Sequence, residues 1–139
     1  MNEFRSSMAL LLLLTLSARA SGDSSPAEFL KSCFKDYVLA STKKGQEFIT
    51  GAEAVRKRCL SASFNRDWKK LTEKTDADAF LLAQDHQASW KENQEVKALS
   101  RDKEEATVIL GKGEEQHCLR VTLSEKPPLR IEHIKNCQK

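Results

Sequence analysis

The chain has 139 residues, of which 31% are charged and 40% hydrophobic, and its formal net charge is +3. Basic clusters such as residues 56–58 alternate with acidic residues, and no long positive stretch forms. A nucleic-acid-binding surface needs basic residues gathered on one face, so we expect no nucleic-acid partner.

Residues 1–20 have the pattern of a cleaved secretory signal. Arg5 supplies a positive charge, residues 8–16 are apolar, and Ala18-Arg19-Ala20 has the small-x-small form of a cleavage site. The apolar run is about half the length of a membrane-spanning helix. No cysteine lies at the cleavage point, so we also expect no stable membrane anchor. The remaining residues 21–139 form one predicted domain.

The first predicted helix begins at Ser25, where Pro26 and Glu28 complete a capping box. Its apolar residues recur at helical spacing. They are Leu30, Cys33, Phe34, Tyr37 and Val38. We predict that the helix ends near Lys44, with Gly45 as its stop.

A second helix is predicted from about residue 52 to residue 73, with Thr50 and Glu53 as its capping pair. Beyond it, Asp76 or Asp78 can cap a short helical turn over residues 80–82.

After Trp90 the apolar period changes from 3.6 to 2, which indicates strands. Four are predicted, at residues 95–100, 105–110, 117–123 and 129–134. Helices followed by an antiparallel meander indicate an α+β fold, in which N-terminal helices pack on a curved four-stranded sheet. We expect Phe34, Tyr37 and Val38 to lie against the concave face of the sheet, near Val108, Leu119 and Val121.

The four cysteines are Cys33, Cys59, Cys118 and Cys137. An even number in an exported chain predicts two disulfides, for which three connectivities are possible. We expect Cys33 to pair with Cys137 and Cys59 with Cys118, since each bond would join a helix to the sheet. The spacings are too long for a zinc site.

The segment "DADAFLLAQD" and its downstream Trp90 carry a resemblance to a known family. With the strand meander over residues 106–134, the pattern D-x-D-x-F-L-x-A-Q-D resembles an exported bacterial family of unknown function. That family has an NTF2-like fold, also described as a cystatin-like cone. The resemblance implies this fold, but members of the superfamily include enzymes, carriers and adaptors, so it does not select a function.

Gln84, Asp85, His86 and Trp90 are the candidate binding residues. Asp85 and His86 could serve an acid–base reaction at the mouth of the cone, with His133 as a further candidate. Adjacent residues point in different directions, so we prefer a structural role in which Gln84 and Asp85 hydrogen-bond the backbone.

Other chemistries fit less well. The aspartates do not match a calcium loop, the three histidines have no metal-binding spacing, and no nucleophile motif is present, so no metal, cofactor or catalytic residue is predicted. The segment "QEVKA" is similar to a cystatin inhibitory loop, but Ala98 replaces the glycine that this loop needs.

We therefore predict a non-catalytic binding protein secreted to the bacterial periplasm. Its partner is expected to be an envelope protein, as for an inhibitor or immunity factor. The alternative is a carrier of a small apolar ligand in the cone, and an isomerase or dehydratase is a third interpretation.

Overall fold

A computed structural model describes residues 25–97, 99–100, 102 and 104–137. The predicted signal at residues 1–20 lies outside these residues, as does Ala98 of the first predicted strand. Three helices pack against a four-stranded antiparallel sheet, which confirms the predicted α+β class. The helices are α1 (Pro26–Ser41), α2 (Gly45–Cys59) and α3 (Ala62–Thr75).

The sheet is a simple meander. Its strands are β1 (Gln94–Lys97), β2 (Glu105–Leu110), β3 (His117–Leu123) and β4 (Ile131–Asn136), and they lie in the sheet in chain order. Short 3₁₀ turns precede β1 at Ala88–Lys91 and β3 at Gly113–Glu115. The predicted strands agree with β2 and β3. β1 begins one residue before the predicted start and ends at Lys97 rather than Ser100, and β4 is displaced by two residues.

The start of α1 is built as predicted. The Ser25 hydroxyl accepts a hydrogen bond from the Glu28 amide, and the Glu28 carboxylate accepts one from the Ser25 amide. The predicted stop is wrong, because α1 ends at Ser41 and Gly45 is the first residue of α2. Gly45 has a φ of +60°, a conformation that glycine adopts at little cost and that lets the chain reverse here.

The single helix predicted over residues 52–73 is wrong. Leu60 is extended and buried, it pairs with Ile131 of β4, and the Ser61 amide donates to the Ile131 carbonyl at 2.8 Å. The Ser61 hydroxyl then caps α3 by accepting from the Phe64 amide. A tertiary contact with the sheet therefore breaks a helical pattern that the local sequence would continue.

The core lies between the helices and the inner face of the sheet. Phe34, Tyr37 and Val108 are fully buried there. The same cluster holds Val38, Leu119 and Val121, as predicted.

All four cysteines form disulfides, but the predicted pairing is wrong. Cys33 pairs with Cys59, whose Cα atoms lie 6.0 Å apart, and Cys118 pairs with Cys137 at 5.5 Å. Strand alternation explains the difference. Leu119 faces the core, so the neighbouring Cys118 points to the outer face, where a core cysteine cannot reach it.

Two disulfides are consistent with a secreted protein in an extracellular or periplasmic compartment. Among the described residues, no helix has the length and apolar character needed to cross a membrane.

Candidate functional site

The chain makes a tight corner between α3 and β1, and Asp78 organises it. One carboxylate oxygen of Asp78 accepts hydrogen bonds from the Phe80 and Leu81 amides, at 2.7 and 3.3 Å. The predicted cap of this turn is therefore Asp78. Asp76 instead ends α3 in a left-handed conformation, with a φ of 54°.

The second carboxylate oxygen of Asp78 reaches into the core. It accepts a hydrogen bond of 2.6 Å from the Tyr37 hydroxyl, and the Tyr37 ring stacks on Phe80 with ring centroids 4.0 Å apart. Burial, and then the negative charge of Asp78, raise the pKa of Tyr37 far above its usual range, although nearby Arg56 opposes this. Tyr37 is therefore a neutral donor that ties α1 to the corner.

This arrangement predicts a loss of stability in alkali. Tyr37 is the one tyrosine in the chain, so tyrosinate absorbance reports on it alone. Its folded pKa lies above the unfolded value of about 10, so its contribution is complete below pH 10 and is lost as the pH rises further. We expect the unfolding free energy to fall above pH 10 more steeply in the wild type than in Tyr37→Phe. Tyrosinate appearing in the folded protein near pH 10 would contradict this.

A small cleft of about 130 Å³ lies beside the corner. It is lined by Ser41, Phe48, Asp78, Leu81, Ala83, Gln84, Asp85 and His86. The structure thus brings together three of the four predicted binding residues, and it adds Ser41 from α1 and Phe48 from α2.

The Asp85 carboxylate is 87% exposed, and one of its oxygens accepts a 2.9 Å hydrogen bond from the His86 amide. The same oxygen lies 3.6 Å from Nδ1 of His86, so the two side chains do converge. The bond from the His86 amide is of the kind expected of Gln84 and Asp85, while the Phe80 and Leu81 amides of the corner donate to Asp78.

Trp90 does not line the cleft. It is buried against His117, with the rings stacked at 5.1 Å, and its indole N–H donates to the Glu115 carbonyl. A side chain at Gly111 would place its Cβ 2.6 Å from the Trp90 ring. Trp90 therefore holds the turn before β3 against the core.

The other two histidines do not line the cleft. His117 hydrogen-bonds the Leu81 carbonyl through Nε2 at 2.7 Å, and the His133 ring lies 6.5 Å from that of Phe64 in α3. Within the part of the chain that the structure describes, no group of three or more histidine, cysteine, aspartate or glutamate side chains could hold a metal ion.

A larger concavity, which we call the α1–α2 groove, runs between the end of α1 and the start of α2. It has a volume of about 580 Å³ and is lined by Leu39, Ala40, Lys43, Gln46, Glu47, Thr50 and Gly51. Leu39 is 37% exposed, and Ile49 of α2 is 53% exposed.

The sequence patterns did not identify this groove. Leu39 lies next to the buried stripe of α1, and Ile49 belongs to a segment that was not predicted to be helical. The sequence signal for this groove is an apolar residue, Leu39, that lies just outside the buried stripe of its helix.

Comparison with known proteins shows a shared fold but no activity. No protein-family model and no curated protein matches the sequence. A solved structure of a protein of unknown function from Bacteroides thetaiotaomicron is similar, with a TM-score of 0.68 and 19% sequence identity. The match covers 79% of this chain and 88% of that one. The two chains therefore share a fold.

Proposed function

We propose that this protein is an NTF2-like binding protein of the bacterial periplasm that docks an envelope protein through the α1–α2 groove. Its role would be that of an inhibitor or immunity factor, without catalysis. The groove is the observation that carries the proposal.

The groove suits a protein surface in shape and chemistry. Leu39 and Ala40 supply apolar surface, while Lys43 and Glu47 supply one charge of each sign. Gly51 allows close approach of the two helices, because its Cβ position would lie only 3.4 Å from the Ala40 Cβ. An apolar centre with a polar rim is the usual composition of a protein–protein interface.

The carrier alternative has less support. A carrier needs an open volume inside the cone. Phe34, Tyr37, Leu119 and Val121 are all fully buried in the core on the inner face of the sheet, where a carrier would need open space.

The enzyme alternative rests on Asp85 and His86. Catalytic carboxylates are usually enclosed, because burial and neighbouring charges tune them for proton transfer. Asp85 is open to solvent at the edge of a cleft of about 130 Å³. A surface with these groups supports binding better than acid–base chemistry.

The NTF2-like assignment rests on the order of the elements. Helices come first, a four-stranded meander follows, and α1 supplies the central aromatic side chains of the core. This is the arrangement that the resemblance of residues 76–85 implies.

The test is capture of a partner from envelope extract. Leu39→Asp places a charge in the groove, and we expect it to abolish capture while lowering stability by no more than about 1.5 kcal/mol, because Leu39 is partly exposed but an aspartate in the last turn of α1 is unfavourable. Quantitative mass spectrometry of the captured proteins provides the measurement.

Leu71→Asp is the matched control, because Leu71 of α3 is 39% exposed and does not line the groove. It should capture the same protein as the wild type. Equal capture by both variants would place the partner elsewhere on the surface, and co-purification of a small apolar molecule would favour the carrier.

A further inference from the structure

The two outer strands of the sheet are not equally covered. At the β4 edge, Leu60 pairs with Ile131 and the Ser61 amide donates to the Ile131 carbonyl. At the β1 edge, no strand among the described residues pairs with the side that faces away from β2.

The hydrogen-bonding pattern identifies which groups point outward from β1. The Gly111 amide donates to the Asn93 carbonyl, so this pair continues the ladder between β1 and β2. In an antiparallel pair, bonded positions alternate. Glu95 and Lys97 therefore bond to β2, whereas the backbone N–H and C=O groups of Gln94 and Val96 point away from the sheet.

The next pair of strands gives the same result independently. The Leu123 amide donates to the Glu104 carbonyl, which makes Ala106, Val108 and Leu110 the β2 residues that bond to β3. The odd-numbered residues of β2 are then the ones that bond to β1, opposite Glu95 and Lys97.

Gln94 itself is only 8% exposed, and two clefts border this edge. One cleft, of about 300 Å³, includes Glu95 and Ile109 from the outer face of the sheet and Lys112 from the turn after β2. The other, of about 510 Å³, includes the exposed stripe of α1. Both are lined by Lys31, Glu92 and Gln94, so they meet at the start of β1.

We propose that the free edge of β1 binds an extended segment of a partner polypeptide as a fifth strand. The outward donors and acceptors of Gln94 and Val96 pair with the backbone of the segment, and the two bordering clefts receive its side chains. Recognition of this kind depends on main-chain hydrogen bonds, with pockets for alternate side chains. This surface is separate from the α1–α2 groove, and the proposal does not depend on that groove.

The test uses a display library of random peptides about ten residues long, more than enough to span β1. Selected peptides should bind Val96→Pro at least tenfold more weakly than the wild type, a loss of about 1.4 kcal/mol, because proline removes one outward N–H. Asn136→Pro is the matched control. The bond between the Cys137 amide and the Cys118 carbonyl places the Asn136 N–H on the outward side of β4.

A second measurement uses the wild-type protein alone, so it does not depend on how well Val96→Pro folds. Methylating the peptide nitrogens one at a time should weaken binding at every second position, because only alternate N–H groups face β1. Leu39→Asp should bind the peptides normally, which separates this proposal from the one on the groove.

Several outcomes would overturn the proposal. These are failure to select any peptide, equal binding by Val96→Pro, and tolerance of methylation at all positions. A dimer in native mass spectrometry that Val96→Pro abolishes would also overturn it, because the edge would then pair with a second copy of this chain.

Discussion

Truncation of Phe34 to alanine is expected to lower the free energy of unfolding by about 3–5 kcal/mol, the usual range for a buried aromatic residue. Phe34 is fully buried, and its ring meets that of Phe80 edge-on, with centroids 5.1 Å apart. The surrounding side chains come from both helices and strands, so the cavity left by the ring cannot close easily. Urea unfolding with a two-state fit gives the measurement.

Phe29→Ala is the matched control, because Phe29 lies in the same helix but is only partly buried against the core. Its loss of stability should be clearly smaller. If Phe34→Ala costs less than about 1.5 kcal/mol and changes the binding of small apolar probes, the inner face is partly hollow and the carrier interpretation gains support.

The elements that follow a local pattern could be predicted from the sequence. The capping box of Ser25 and Glu28 and the apolar stripe through Phe34 and Tyr37 predict α1 and its buried face. Strand alternation predicts β2 and β3, including the residues that enter the core.

The errors come from contacts between distant residues. Residues 52–73 have a helical pattern throughout, and only the pairing of Leu60 with Ile131 explains the break within it. The disulfides could have been predicted better. The predicted strand already put Cys118 and Leu119 on opposite faces, which is incompatible with a bond from Cys118 to a core cysteine.

Only part of the candidate site could be predicted, because the rest again depends on contacts between distant residues. Gln84, Asp85 and His86 are consecutive, and the corner brings all three to one cleft. Trp90 is close in sequence, but the 3₁₀ turn carries it into contact with Glu115 and His117. The contributions of Ser41 and Phe48 depend on where α1 ends and where α2 begins. The sequence patterns placed both of these boundaries at the wrong residues.

The second large effect is expected at Asp78. Asp78→Ala removes the acceptor of the Tyr37 hydroxyl and of the Phe80 and Leu81 amides at once. Hydrogen bonds to a charged group contribute roughly 1.5–3 kcal/mol each, and a buried donor left unpaired adds its own cost. We expect a loss of about 3 kcal/mol or more in urea unfolding.

Two further variants assign this loss to its cause. Asp78→Asn keeps an oxygen that can accept from the two amides, so it should recover part of the stability. Asp85→Ala is the control from the same cleft, and it should change stability by no more than about 0.5 kcal/mol because the carboxylate is exposed.

A double-mutant cycle then isolates the bond between Tyr37 and Asp78. Tyr37→Phe removes the buried hydroxyl. In a protein that already carries this substitution, replacing Asp78 no longer leaves a hydroxyl donor unpaired. The loss caused by Asp78→Ala should therefore be smaller in Tyr37→Phe than in the wild type, with an interaction energy within the range of about 0.5–3 kcal/mol seen for residues in contact. Additive losses would show that Asp78 acts only through the backbone of the corner. In that case Tyr37 would be held by its stacking on Phe80 rather than by its hydroxyl, and the steeper loss of stability in alkali would have to come from burial of the ring alone.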